Sequence, residues 1–160
     1  MNAPDLLWLV VQDAFWSAIA ATGFAMVFNV PRRTLFGCAI AGATGHALRT
    51  LLMQGLNMPI EPATLAGATA VGALGILLSR RLRAPALIFG VCGAIPMVPG
   101  LFAYSAMIGF IRFAGADAAT GNELLVTATI NLVKTGLILA AIAAGIALPI
   151  LLFRREKPVV

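Results

Sequence analysis

Charge is scarce in this chain: 11% of its residues are Asp, Glu, Lys or Arg, whereas 61% are hydrophobic, and the mean hydropathy is +0.98. Ordinary soluble domains carry about 25% charged residues, so a domain whose solvent is water is excluded and lipid is the expected solvent. Histidine occurs once, as His46, and cysteine twice, as Cys38 and Cys92, far apart in apolar segments. That inventory supplies neither a disulfide framework nor a zinc ligand set, and both cysteines read as small buried hydrophobes. There is no His-Glu-x-x-His run, no Gly-Lys-Ser/Thr phosphate loop and no Ser-His-acid set, so membrane hydrolysis and ATP-driven pumping have no support; neither an enzyme nor a cofactor is expected. The eleven Lys and Arg residues give a net charge of +5 but form no single basic face, which argues against nucleic acid. No Lys or Arg occurs in the first 31 residues, so a cleavable signal peptide is not expected and the N-terminal apolar stretch should stay in the mature protein.

What the chain does have is long apolar runs. A hydrocarbon core about 30 Å thick takes about 20 apolar residues in helix, because every backbone polar group must be satisfied within the segment. Five stretches qualify, at about residues 6–30, 35–56, 63–79, 85–111 and 124–153. The expected fold is therefore all-α, a single polytopic membrane domain over residues 1–160. The last stretch is long for one crossing, and residues 121–134 could be an outer amphipathic turn or a tilted extension.

Orientation follows from the loops, since short loops rich in Lys and Arg stay cytoplasmic. Arg32, Arg33, Arg80, Arg81, Arg83, Arg154, Arg155 and Lys157 fall at alternate ends of the spans and belong to one side. Asp5, Glu61, Asp117 and Glu123 mark the other, with Arg112 the lone basic residue there. This predicts an outside N-terminus and a cytoplasmic C-terminus. Small residues at helical spacing, Gly37, Ala41 and Gly45 on the second span and Ala68, Gly72, Gly75 and Ser79 on the third, predict a tight hairpin of these two helices.

Four ionisable side chains fall at membrane depth, where each needs a partner or water: Asp13, His46, Arg49 and Lys134. His46 and Arg49 are three apart and share a helix face with Gly42 and Met53. Thr127, Asn131, Lys134 and Thr135 recur as one polar stripe, the pattern of a helix lining a wet cavity. Asp13 is the expected counter-ion of Arg49 or Lys134. The fourth span is broken at Ile95-Pro96-Met97-Val98-Pro99-Gly100. Each proline removes an N–H and clashes with the carbonyl four residues back, so the carbonyls of Cys92 and Ile95 are expected to lose their donors. A half-helix starting near Gly100 would present its positive N-terminal end to an anionic group.

Particular stretches are recognisable. Gly23-Phe24-Ala25-Met26-Val27-Phe28-Asn29-Val30-Pro31, Gly45-His46-Ala47-Leu48-Arg49, Ile95-Pro96-Met97-Val98-Pro99-Gly100 and Ala103-Tyr104-Ser105-Ala106-Met107-Ile108 resemble the YjjB-type small subunits of the ThrE-type threonine/serine exporter family, in the family's order and over nearly the whole chain. The resemblance implies a five-helix unit of the bacterial inner membrane that works with a second, YjjP-like membrane subunit. It further implies export of succinate, with threonine and serine as the alternative and a non-transporting scaffold as a reading of another class. A small carboxylate wants cations and N–H donors. Those expected to hold it are His46, Arg49, Lys134 and Asn131, the break at Pro96, Pro99 and Gly100, and Asp13 where the substrate also carries an ammonium. Five helices are few for an alternating-access path, so assembly with other subunits, including copies of this chain, is expected.

Overall fold

The computed structural model describes residues 3–153, without the side chains of residues 3 and 118–120. Helix α1 (Ala3–Val27) is followed by a 3-10 turn (Arg32–Thr34) and α2 (Leu35–Gly55). Then come α3 (Ile60–Leu82), α4 (Ala86–Ala94), a second 3-10 turn (Ile95–Met97), α5 (Gly100–Ala114) and α6 (Ala118–Phe153). Among the described residues there is no strand. Among the described residues four helices are long and apolar enough to cross a bilayer, and five crossings result if α4 and α5 together make one interrupted span. The protein is thus an all-α, multi-span membrane protein. The basic run Arg154, Arg155 and Lys157, on which part of the orientation rests, lies outside the described residues.

Local chemistry sets the helix ends. Asn29, Asn57 and Arg83 are left-handed, with φ of 54°, 50° and 48°, and each is followed two residues later by a proline: Pro31, Pro59 and Pro85. A left-handed residue closes the last helical turn and the proline prevents its resumption. Asparagine tolerates that conformation well, whereas Arg83 adopts it against the clash of its Cβ with the backbone. The fourth span breaks where the prolines require: α4 tightens into the Ile95–Met97 turn, and α5 begins afresh after Pro99.

The described residues form two compact units, one of residues 3–97 with 141–153 and one of residues 98–140. In the first, glycines bring the helices together. A Cβ added at Gly42 would lie 2.6 Å from Ala21 Cβ on α1, one at Gly93 of α4 would lie 2.8 Å from Ala41 Cβ on α2, and one at Gly67 of α3 would lie 2.6 Å from the Gly45 carbonyl oxygen on α2. Phe89, Val71 and Met97 fill the space between and are fully buried.

The expected close pair of the second and third helices is present, with Gly45 of α2 against Val71 and Gly67 of α3 and Gly37 beside Leu82, but the small residues also serve other helices: Gly37 packs on Phe89 and Ala41 on Gly93, both of α4. Ala68 and Gly72 face neither: they receive Gly145 and Ile146 of α6. Each small residue admits whichever neighbour the bundle places opposite, and spacing along one helix does not name that neighbour.

In the second unit α5 lies against the preceding part of α6, where a Cβ at Gly109 would come 2.8 Å from Ala128 Cβ. Residues 121–134 do not form a separate turn; α6 is one uninterrupted helix of 36 residues. At about 1.5 Å per residue it is about 54 Å long, well beyond the hydrocarbon core, so it tilts or projects past it.

Candidate functional site

One polar cluster sits among the helices of the first unit. Residues 46, 49 and 50 fall on one face of α2 through their three- and four-residue spacing, and Asp13 reaches them from α1. Thr50 Oγ1 donates to Asp13 Oδ2 at 2.6 Å, and His46 Nδ1 lies 3.6 Å from the same oxygen. The Arg49 guanidinium donates in two directions, from Nη2 to His46 Nε2 at 2.6 Å and from Nη1 to the carbonyl oxygen of Met97 at 3.0 Å. The result is a chain of contacts, Thr50 to Asp13 to His46 to Arg49 to the backbone of the broken span. His46 is 16% exposed and Asp13 33%.

The cluster opens on a cleft of about 230 Å3 lined by Leu9, Asp13, His46, Arg49, Thr50, Met53, Gln54 and Ile60. This is below the ~300–1,000 Å3 of pockets for drug-sized ligands and suits a molecule of a few heavy atoms. Four other grooves of this unit are lined mostly by apolar side chains such as Phe15, Ile19 and Met26, and Arg80 borders one of them. Volume therefore does not single out the cleft; its opposed charges do.

The structure brings Asp13, His46 and Arg49 together and sets Pro96 beside Met97, the residue whose carbonyl Arg49 holds. Pro99, Gly100, Asn131 and Lys134 belong to the second unit. There Thr135 Oγ1 donates to the Asn131 carbonyl at 2.8 Å, and the Lys134 ammonium sits 5.6 Å from the centre of the Phe102 ring, within cation–π range. The His46 imidazole stands between the Asp13 carboxylate and the Arg49 guanidinium, so the carboxylate faces that cation across the ring and makes its direct contacts with Thr50 and His46. The carbonyl that receives Arg49 is that of Met97.

Thr50 and Met97 are the members that the sequence reading missed. Met97 could have been found, since the last carbonyls before a helix restarts have no donor four residues on. Thr50 adjoins Arg49 but carries no signal of its own; only the α1–α2 packing gives it Asp13.

The family described as "Threonine/Serine exporter, ThrE" matches residues 13–152. The chain belongs to the ThrE threonine/serine exporter family. The match takes in all three ionisable residues of the cluster, and the family is one of transporters rather than enzymes. An uncharacterized protein from Haemophilus influenzae is 46% identical to this ThrE-family chain over 154 residues, covering 94% of the chain and 50% of the relative. The chain thus spans about half the length of the curated relative it matches. No solved structure matches it.

Proposed function

We propose that this chain is one subunit of a two-component exporter of small carboxylates in the bacterial inner membrane, acting with a YjjP-like membrane subunit, and that its substrate is an amino acid of the threonine/serine kind. The observation that carries the reading is the presence of Arg49 and Asp13, opposite in charge, on one cleft among helices long enough to span lipid. A zwitterion places its carboxylate on the guanidinium and its ammonium on the carboxylate without adding net charge to a poorly solvated site. A dianion brings two uncompensated charges to the same place. The family's name favours the same substrates.

The H. influenzae relative, twice as long as the matched segment, supports a second moiety working beside this one. The orientation, N-terminus outside and C-terminus cytoplasmic, is supported by Arg33 Nη2 donating to the Arg83 carbonyl at 3.4 Å, which sets the Arg32–Arg33 turn and the basic end of α3 side by side. The cleft then faces the outer half of the bilayer.

Succinate is the second reading. It is favoured by the likeness of Gly45-His46-Ala47-Leu48-Arg49 and Ile95-Pro96-Met97-Val98-Pro99-Gly100 to YjjB-type subunits. The test is export of labelled threonine from cells carrying the chain and its partner, with succinate as competitor. Arg49→Gln should abolish export at unchanged membrane abundance. Export at the native rate in that variant would refute a transport role for the cleft and leave the chain a scaffold; abolition of succinate export alone would establish the second reading.

A further inference from the structure

The contact between Arg49 and His46 fixes the state of the imidazole. Arginine has no acceptor atom, so Nη2 donates and His46 Nε2, 2.6 Å away, accepts with its lone pair. The ring proton is then on Nδ1, which is buried, has no hydrogen-bond partner and points toward Asp13 Oδ2 at 3.6 Å. His46 is thus oriented between a cation and an anion, with an acceptor turned toward the residue proposed to take the substrate's carboxylate.

A carboxylate is a charged acceptor and outcompetes a neutral ring nitrogen for the guanidinium N–H. When the substrate engages Arg49, Nε2 loses its donor, and a buried acceptor without a partner is unfavourable unless the incoming molecule brings an O–H or N–H. In threonine and serine the hydroxyl oxygen lies two carbons from the carboxylate. One molecule can therefore reach both Nη2 and Nε2, which are neighbours at 2.6 Å. Asp13, with only Oδ2 engaged by Thr50, keeps Oδ1 for the ammonium, and Leu9, Met53 and Ile60 supply the apolar wall of the cleft.

We propose that His46 is the specificity-determining residue of this site: its Nε2, released by Arg49, accepts the substrate's β-hydroxyl and so selects β-hydroxy amino acids over those lacking the group. The inference rests on the amino-acid reading above. A site built to bond a hydroxyl rejects an analogue without it far more strongly than an apolar pocket rejects a size difference.

The test uses the full-length chain with its co-extracted membrane partner in proteoliposomes. Three probes are compared: L-threonine, L-2-aminobutyrate, which lacks the hydroxyl, and O-methyl-L-threonine, which keeps the oxygen but cannot donate. The native protein should prefer threonine over both by about tenfold or more. In His46→Leu the preference should fall to near unity, and His46→Gln, whose amide oxygen can accept, should restore part of it. Native protein carrying threonine and either analogue equally would overturn the inference while leaving the amino-acid reading intact, and this comparison does not depend on any variant folding. Undiminished preference in His46→Leu would also overturn it. Succinate carried with none of the three amino acids would overturn both.

Discussion

Gly67→Ala is the sharpest perturbation of the architecture that holds the cleft. The new methyl would stand 2.6 Å from the Gly45 carbonyl oxygen, 3.1 Å from Met97 Sδ and 3.5 Å from Arg49 Cβ. The methionine sulfur can yield, but the Gly45 oxygen is helix backbone. Restoring an ordinary contact of about 3.5 Å moves α2 and α3 apart by nearly 1 Å. Overpacking of this kind destabilises by about 1–3 kcal/mol, a factor of about 5 to 150 in the folded-to-unfolded ratio. The same movement carries Arg49 away from the Met97 carbonyl, whose 3.0 Å bond has little slack. Unfolding by SDS titration in mixed micelles, followed through Trp8 and Trp16 on α1, measures the first effect, and threonine export measures the second. Gly23→Ala and Gly136→Ala, where an added Cβ meets nothing within 4 Å, are the matched controls and should leave both readouts near native. A Gly67→Ala protein as stable and as active as those controls would refute the close α2–α3 contact and its role in setting the site.

Three further outcomes follow from particular residues. Thr50→Val removes the hydroxyl that donates to Asp13 Oδ2; a bond to a charged acceptor contributes about 1.5–3 kcal/mol, so the KM for threonine should rise about tenfold or more at normal abundance, read from initial export rates. Pro96→Ala combined with Pro99→Ala should restore a continuous fourth helix, draw the Met97 carbonyl back into the helical ladder and abolish export while the protein still folds, checked by circular dichroism beside transport. Arg83→Asn should stabilise the fold by about 1 kcal/mol, because asparagine tolerates the left-handed conformation at φ 48° that arginine adopts under strain, and the SDS midpoint should rise accordingly.

The amino-acid sequence by itself determined the class of the molecule. Apolar runs long enough for a bilayer and prolines two residues past each left-handed helix end are properties of neighbouring residues, and they fix helices, their ends and the interruption at Pro96 to Pro99 without reference to the rest of the chain. His46 and Arg49 were legible as a pair for the same reason, since three residues of helix separate them. Which helix faces which was a decision of the tertiary structure alone. The ridge at Ala68 and Gly72 takes α6 rather than α2, and Asp13 meets Thr50 and His46, because such partners lie tens of residues apart and only packing brings them within reach. A small residue or a buried charge states that something must come close; the three-dimensional arrangement of the other helices chooses what.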